Sequence, residues 1–170
     1  MIRPDLAKVP SFYMTYVEYV KDEDMMDSME RSNADALKLI YTIPEEKGTF
    51  RYAQGKWSIK ELLCHMMDAE RVFAYRALRF SRNDKTPLPG FDENSYAPQA
   101  NAHSRTVLQI AMEMKRLRQS TIDLYKSFSP DMLSREGTAS NTALSVINLG
   151  FIIPGHETHH CRILRDRYLQ

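Results

Sequence analysis

Residues 55–80 read GKWSIKELLCHMMDAERVFAYRALRF and contain the clearest helix signal in the chain. Ser58 lies three residues before Glu61, which is the spacing of a capping box at a helix start. Apolar residues then recur at intervals of three and four, the spacing of one buried helix face, at Leu62, Met66, Ala69 and Phe73. We therefore expect a helix over 59–81 with its apolar face against other helices.

Three further segments show helical spacing of apolar residues, and we found no segment with sustained alternation of apolar and polar residues. The expected helices cover about 22–43, 102–128 and 141–168. Pro44 ends the first, and Pro154 predicts either a kink in the last or its division into two helices. The sequence therefore predicts an all-α protein, most simply a four-helix bundle.

The connection between the second and third helices is unusually long. Residues 82–101 contain three prolines and a glycine, and loops of this length are uncommon in compact domains and often functional. Fully extended, the loop could reach roughly 66 Å, whereas a 24-residue helix is about 36 Å long. It could therefore cross the bundle and let the two helices run parallel. Its polar residues could rim a site, with a surface strap as an equal alternative: Asp92, Glu93, Asn94 and Tyr96.

We treat residues 1–170 as one domain, because this length is typical of a single core. Residues 1–20 form an N-terminal arm that we expect to lie on the bundle. Its aromatic residues favour a role in covering the core over a role as a binding strip; they are Phe12, Tyr13, Tyr16 and Tyr19.

Charge and cysteine content exclude several classes of function. The 23 basic and 22 acidic residues give a net charge of +1, and they predict no binding to nucleic acid or acidic membranes. No apolar run reaches the length of a membrane span, and the first residues do not resemble a secretion signal. Only Cys64 and Cys161 are present, too few for a disulfide framework. We therefore expect a cytoplasmic protein.

Three of the five histidines lie in GHETHH, residues 155–160. His156 and His160 are four residues apart, so on a helix they share a face and their imidazoles can converge on one ion. His159 points about 100° away from His160 and is the weaker candidate ligand.

His65 can join this pair only if the second and fourth helices are antiparallel. It lies about 10 Å from the start of its helix, and the pair lies about 12–18 Å from the end of the fourth helix. Antiparallel packing would bring all three imidazoles to one level. The alternative is that the histidines are core residues that bind no metal.

Three neutral imidazoles suit zinc, nickel, copper or ferrous iron, and they leave a position open for water, as in catalytic sites. Asp68, one turn after His65, could orient a ligand, although a solvated helix charge is the preferred interpretation. Cys64 and Cys161 point about 100° away from the ligand face, so we expect them to be buried and not ligands.

Residues 156–160 also match H-E-x-x-H, the zinc peptidase motif in which Glu157 would be the general base. Familiar versions take a third ligand downstream. The residues that follow His160, CRILRDRYLQ, contain neither His nor Glu. We therefore rank a peptidase last.

Three segments resemble the DinB/YfiT-like family in the correct order: residues 55–80, PLPGFDENSYA at 87–97, and GHETHHCRILRDRY at 155–168. The resemblance implies an up-down-down-up bundle, a metal bound by His65, His156 and His160, and a homodimer. It also implies an enzyme activity, either that of a hydrolase or that of a transferase that uses a low-molecular-weight thiol.

We expect a divalent metal, most readily zinc or nickel, and a small-molecule substrate. The predicted activity is hydrolysis or thiol S-transfer through a metal-activated water or thiol. A non-catalytic metal-binding module for stress response or structure remains the alternative, because general base candidates are few: Glu157, Asp68 and His159.

Overall fold

The predicted capping box starts helix α3, which spans Ile59–Ser81. Ser58 Oγ accepts the Glu61 N–H at 3.3 Å, and Glu61 Oε2 accepts the Ser58 N–H at 2.7 Å. The computed structural model describes residues 8–170, and within them α3 joins three other long helices: α2 Met25–Ile40, α5 Val107–Lys126 and α7 Val146–Ile163. Capping boxes also start α5 and α7, and Asp24 caps α2.

Cross-helix contacts give the direction of each long helix. Tyr168, after α7, donates to the carbonyl of Trp57, before α3, while His156 contacts Phe73 further along α3, so these two helices are antiparallel. Helix α3 runs parallel to α5, since Cys64 contacts Arg105 and Glu70 contacts Arg118. In the same way α2 is antiparallel to α5.

The four long helices therefore form the expected up-down-down-up bundle. The long loop after α3 makes this order possible. Leu88 exchanges backbone hydrogen bonds with Thr138 and Ser140 at one end of the bundle, and Arg105 reaches Cys64 at the other end. The short helix α4, Glu93–Tyr96, lies between them.

The expected start of the last helix near residue 141 was wrong, because residues 136–145 form a small β-hairpin. Strand β1, Glu136–Ala139, pairs antiparallel with β2, Thr142–Ser145. Ser140 and Asn141 both have positive φ, at 50° and 60°, as in the tight hairpin turns that suit strand twist. The short helix α6, Pro130–Ser134, precedes the hairpin. The last long helix therefore begins at Val146 and not near 141.

The start of α5 also differs from the sequence prediction. Helix α5 begins at Val107 because Thr106 caps it, and Ala102–Ser104 forms only a separate 3-10 turn. Helix α7 continues unbroken through Pro154 and extends into a wider π turn at Leu164–Tyr168. The alternative of two separate helices around Pro154 was wrong.

The described part of the arm contains helix α1, Ser11–Tyr19, which lies on α7. Tyr13 and Val17 are buried there, as expected of a core cover. Gly155 allows the close approach, since a Cβ on it would lie 2.0 Å from the carbonyl oxygen of Tyr16. Residues 1–7 of the predicted arm lie outside the described residues. Within residues 8–170, no helix combines the length and the apolar character needed to cross a bilayer.

Candidate metal centre

The structure brings together the three histidines that the sequence singled out. His65 Nε2 lies 3.2 Å from His156 Nε2, and His160 Nε2 lies 3.1 Å from the same atom. One nitrogen from each ring lies within 4.8 Å of those of the other two. All three side chains are buried. We refer to His65, His156 and His160 as the histidine triad.

The spacing of the triad fits a metal ion. A tetrahedral ion with metal–nitrogen bonds of about 2.0–2.1 Å holds its ligands about 3.3 Å apart, close to the two shorter distances here. Nε2 of His156 carries either one hydrogen or one lone pair, so it can make only one of its two contacts as a hydrogen bond. A cation that accepts lone pairs from all three rings would satisfy both contacts.

Burial keeps the triad in the form that binds metals. Burial lowers the pKa of His65 to about 4, and it lowers the pKa values of His156 and His160 well below their usual range. The neighbouring imidazoles lower the last two further. The three rings are therefore neutral at pH 7, with lone pairs available for a cation.

Ring packing orients His160. Its Nδ1 atom is buried and has no hydrogen-bond partner within residues 8–170. The ring instead lies between those of His65, His156 and His159, with centroid distances of 4.9, 4.4 and 5.0 Å. The Trp57 ring packs at a tilt against the His65 ring, with a centroid distance of 4.7 Å.

The triad opens onto a cleft of about 500 Å³, a volume typical of small-molecule sites. We call it the histidine cleft. Its lining residues are mostly aromatic, with a few polar groups: Phe12, Tyr13, Tyr16, Trp57, His65, Ala69, Phe73, Arg76, Phe91, Glu93, Ser140, Thr142, His156 and His160. Of the loop residues predicted to rim a site, Glu93 lies in this lining and Asn94 lies in a neighbouring groove beside His160.

Several lining residues were missed at the sequence level. Tyr16, interpreted only as core cover, has its ring edge against His156 at a centroid distance of 5.3 Å. Burial and the Glu93 carboxylate raise the pKa of Tyr16, so its phenol stays protonated at neutral pH. Arg76 lies eleven residues after His65, which is three helical turns and therefore the same face. That spacing was a usable signal.

Glu157 lies in a separate buried network, which we call the Arg118 network. Arg118 donates to both carboxylate oxygens of Glu70, at 2.9 and 3.0 Å, and to Glu157 Oε2 at 2.9 Å. Asn33 donates to the other Glu157 oxygen at 3.2 Å. Both oxygens of Glu157 are therefore held by hydrogen bonds within the bundle core.

The remaining candidates lie outside the triad. His159 is partly buried between Tyr16 and Tyr19, stacked on the latter at 5.8 Å. Asp68 pairs with Arg71 at 3.3 Å, and burial raises its pKa. Cys64 and Cys161 are both buried and free, and burial raises the pKa of Cys161 to about 12.

Comparison with known proteins identifies a family and a relative of similar sequence. The sequence pattern of the DinB superfamily matches residues 28–164. A protein of Oceanobacillus iheyensis named "Putative metal-dependent hydrolase OB0413" is 23% identical over 123 residues, covering 71% of this chain and 70% of the relative.

Among solved structures, YfiT from Bacillus subtilis has the same fold, with a TM-score of 0.72 and 14% identity. The match covers 83% of this chain and 84% of YfiT, which is described as a probable metal-dependent hydrolase with an unusual four-helix bundle topology.

Proposed function

The chain belongs to the DinB superfamily, and we propose that it is a metal-dependent hydrolase of small molecules whose divalent ion is held by His65, His156 and His160. The observation that carries the proposal is the convergence of three buried, neutral imidazoles at the base of an open cleft. The names of the two relatives support the same class of activity.

His65, His156 and His160 would hold the ion through their Nε2 atoms, and an ion held by only three protein ligands would be available to water or substrate. Zinc and nickel both suit such a donor set. When bound, a divalent ion lowers the pKa of water and so provides a nucleophile near neutral pH.

Two cleft residues would assist hydrolysis. Glu93 lies close enough to His65 and Tyr16 to influence the pKa of both, and we assign it as the proton acceptor. Tyr16, protonated and beside His156, would donate a hydrogen bond to the substrate oxygen that gains negative charge. The apolar walls formed by Trp57 and Phe73 would limit the access of bulk water.

Thiol S-transfer is the second candidate, because it would use the same centre. Cys64 and Cys161 are buried and burial raises the pKa values of both thiols, so neither suits the role of nucleophile. The thiol would therefore come from a low-molecular-weight cosubstrate. The two free cysteines also fit the reducing conditions of the cytoplasm, where we expect the protein to act. A homodimer, implied by the family resemblance, stays a prediction that sedimentation would test.

The remaining functions have less support. A zinc peptidase would need the Glu157 carboxylate at the metal, whereas Arg118 and Asn33 hold both of its oxygens in the core. A non-catalytic metal-binding module would not need a cleft lined by Tyr16, Arg76 and Glu93.

Activity assays with chelation separate these functions. We expect metal-loaded protein to hydrolyse p-nitrophenyl acetate, to lose this activity in chelator, and to regain it with zinc or nickel. His65→Ala should abolish the activity. His103→Ala, which removes an exposed histidine outside the cleft lining, should leave it unchanged.

The same preparations should be assayed with cysteine and 1-chloro-2,4-dinitrobenzene. Thiol transfer without ester hydrolysis, again lost in His65→Ala, would favour the second candidate. Full ester hydrolysis in His65→Ala would contradict the proposal.

A further inference from the structure

Arg76 is a buried cation without a counter-ion in the described structure. Its side chain is 2% exposed, and no carboxylate within residues 8–170 forms an ion pair with it. Arg118 is equally buried but lies between Glu70 and Glu157. Because a buried charge is costly unless it is paired, the contrast between the two arginines requires an explanation.

The surroundings of Arg76 hold its guanidinium beside the histidine cleft. Nη2 donates to the carbonyl of Pro89 at 3.2 Å and to Ser140 Oγ at 2.9 Å. The guanidinium carbon lies 5.9 Å from the centre of the Phe73 ring. Nε and Nη1 have no partner among the described residues, and Arg76 forms part of the cleft lining. The group is fixed through one nitrogen and keeps its other donors for a ligand.

The hairpin turn supplies the groups around this arginine at a conformational cost. Ser140 has φ of 50°, a left-handed conformation that is unfavourable for residues other than glycine, asparagine and aspartate. This conformation places its hydroxyl on Arg76, and Thr142 on the next strand also lines the cleft. The turn that reverses the chain therefore also holds a hydroxyl on the Arg76 guanidinium.

We propose that Arg76 binds the carboxylate of an anionic substrate whose apolar body lies along Phe73 toward the histidine triad. This inference rests on the proposed function and narrows its substrate class. The Phe73 ring lies 5.9 Å from both the Arg76 guanidinium carbon and the His156 ring centre, so these two groups are less than about 12 Å apart. A molecule with its carboxylate several bonds from the reacting group would span them.

Charge favours a carboxylate over a phosphate. Arg76 is the one arginine or lysine in the described cleft lining, and Glu93 adds a negative charge to it. A singly charged carboxylate matches one guanidinium, while a phosphate dianion would leave excess negative charge. The aromatic walls match an aryl or alkyl body.

Fluorescence of Trp57 provides a direct test, since it is the only tryptophan in the chain and lines the histidine cleft. Titrations would use 3-phenylpropanoate, its neutral amide 3-phenylpropanamide, and inorganic phosphate. Protein held in chelator removes any binding of the carboxylate to a metal. We expect the unaltered protein to bind the carboxylate at least tenfold more tightly than the amide, and phosphate less tightly than the carboxylate.

Arg76→Gln should abolish the preference for carboxylate over amide. Arg82→Gln makes the same change at an exposed position near the end of α3, where the side chain lies over Phe128, and should preserve it. Ser140→Gly relieves the backbone strain and removes a partner of Arg76, so we expect the preference to fall two- to fivefold. Melting curves would establish that each variant folds.

Equal binding of carboxylate and amide by the unaltered protein would overturn the proposal, whatever the variants do. It would also be overturned if the preference survived in Arg76→Gln, if it were undiminished in Ser140→Gly, if it required metal, or if phosphate bound more tightly than the carboxylate. Because the titrations need neither metal nor turnover, these results would leave the metal-dependent hydrolase proposal standing. Unchanged metal content in the triad variants would conversely contradict the metal site and leave the role of Arg76 intact.

Discussion

Replacing Gly155 by alanine tests how closely helix α1 packs on the residue next to the metal centre. A Cβ at position 155 would lie 2.0 Å from the carbonyl oxygen of Tyr16 and 2.5 Å from its carbonyl carbon. Carbon and oxygen atoms in contact are usually about 3.3 Å or more apart. Both clashing atoms belong to the backbone, so α1 must retreat by about 1 Å and take Tyr16 with it.

Two opposing effects set the expected size of the change. Alanine in a helix interior is favoured over glycine by about 1 kcal/mol. Overpacking a tight contact costs about 1–3 kcal/mol, and a backbone clash belongs at the upper end. We therefore expect a net loss of about 2 kcal/mol in the free energy of unfolding, which for a domain of this size lowers Tm by roughly 4–8 °C.

Urea and thermal unfolding followed by circular dichroism would measure this loss. Gly150→Ala on the same helix is the matched control, because the three nearest atoms to its added Cβ belong to the Met25 and Tyr125 side chains and not to the backbone. We expect Gly150→Ala to cost less than Gly155→Ala, and Gly155→Ala to retain its metal, since α1 contributes no triad ligand. A Gly155→Ala protein as stable as the unaltered one, or more stable, would refute the close packing of α1 on α7.

Two other perturbations test the buried charges. Arg118→Met would leave Glu70 and Glu157 without their cation, so we expect the free energy of unfolding, measured by urea denaturation, to fall by about 3–5 kcal/mol. The control Arg116→Met, at an exposed position, should change it by less than about 0.5 kcal/mol. The metal-free protein should also lose stability as the pH falls below about 6.5. Histidines of the unfolded chain then bind protons, whereas the buried triad of the folded protein stays neutral. Between pH 6.5 and 4, the free energy of unfolding should change by up to about 1.4 kcal/mol per pH unit for each histidine, and the change should be smaller in His65→Gln. The same pH dependence in His65→Gln and the unaltered protein would contradict the lowered pKa values.

The elements predicted correctly carry their signals in local sequence. Ser58 and Glu61 define the start of α3 by themselves, and His156 and His160 share a face wherever they form a helix. The level of His65 in the bundle follows from helix lengths and one antiparallel pair of helices. These features depend on spacing along the chain, which one sequence contains.

The features that were missed depend on contacts between distant segments. Strand β1 shows no apolar alternation. A Cβ at position 137 would lie 2.1 Å from the Phe80 ring, so glycine is the residue that fits this contact. The hairpin is stabilised by this packing on α3 more than by strand propensity. Tyr16 and Arg76 likewise acquire their place in the cleft only when α1 and the hairpin pack on the bundle.

Metal analysis of protein purified without a histidine tag would show whether the histidine triad holds an ion. We expect about one zinc or nickel ion per chain in the unaltered protein, and a loss of at least tenfold in His156→Ala, because its Nε2 lies 3.1–3.2 Å from those of both partners. His103→Ala, at an exposed site, should keep its full metal content. Equal metal content in His156→Ala and the unaltered protein, or none in either after incubation with zinc and with nickel, would contradict the metal site.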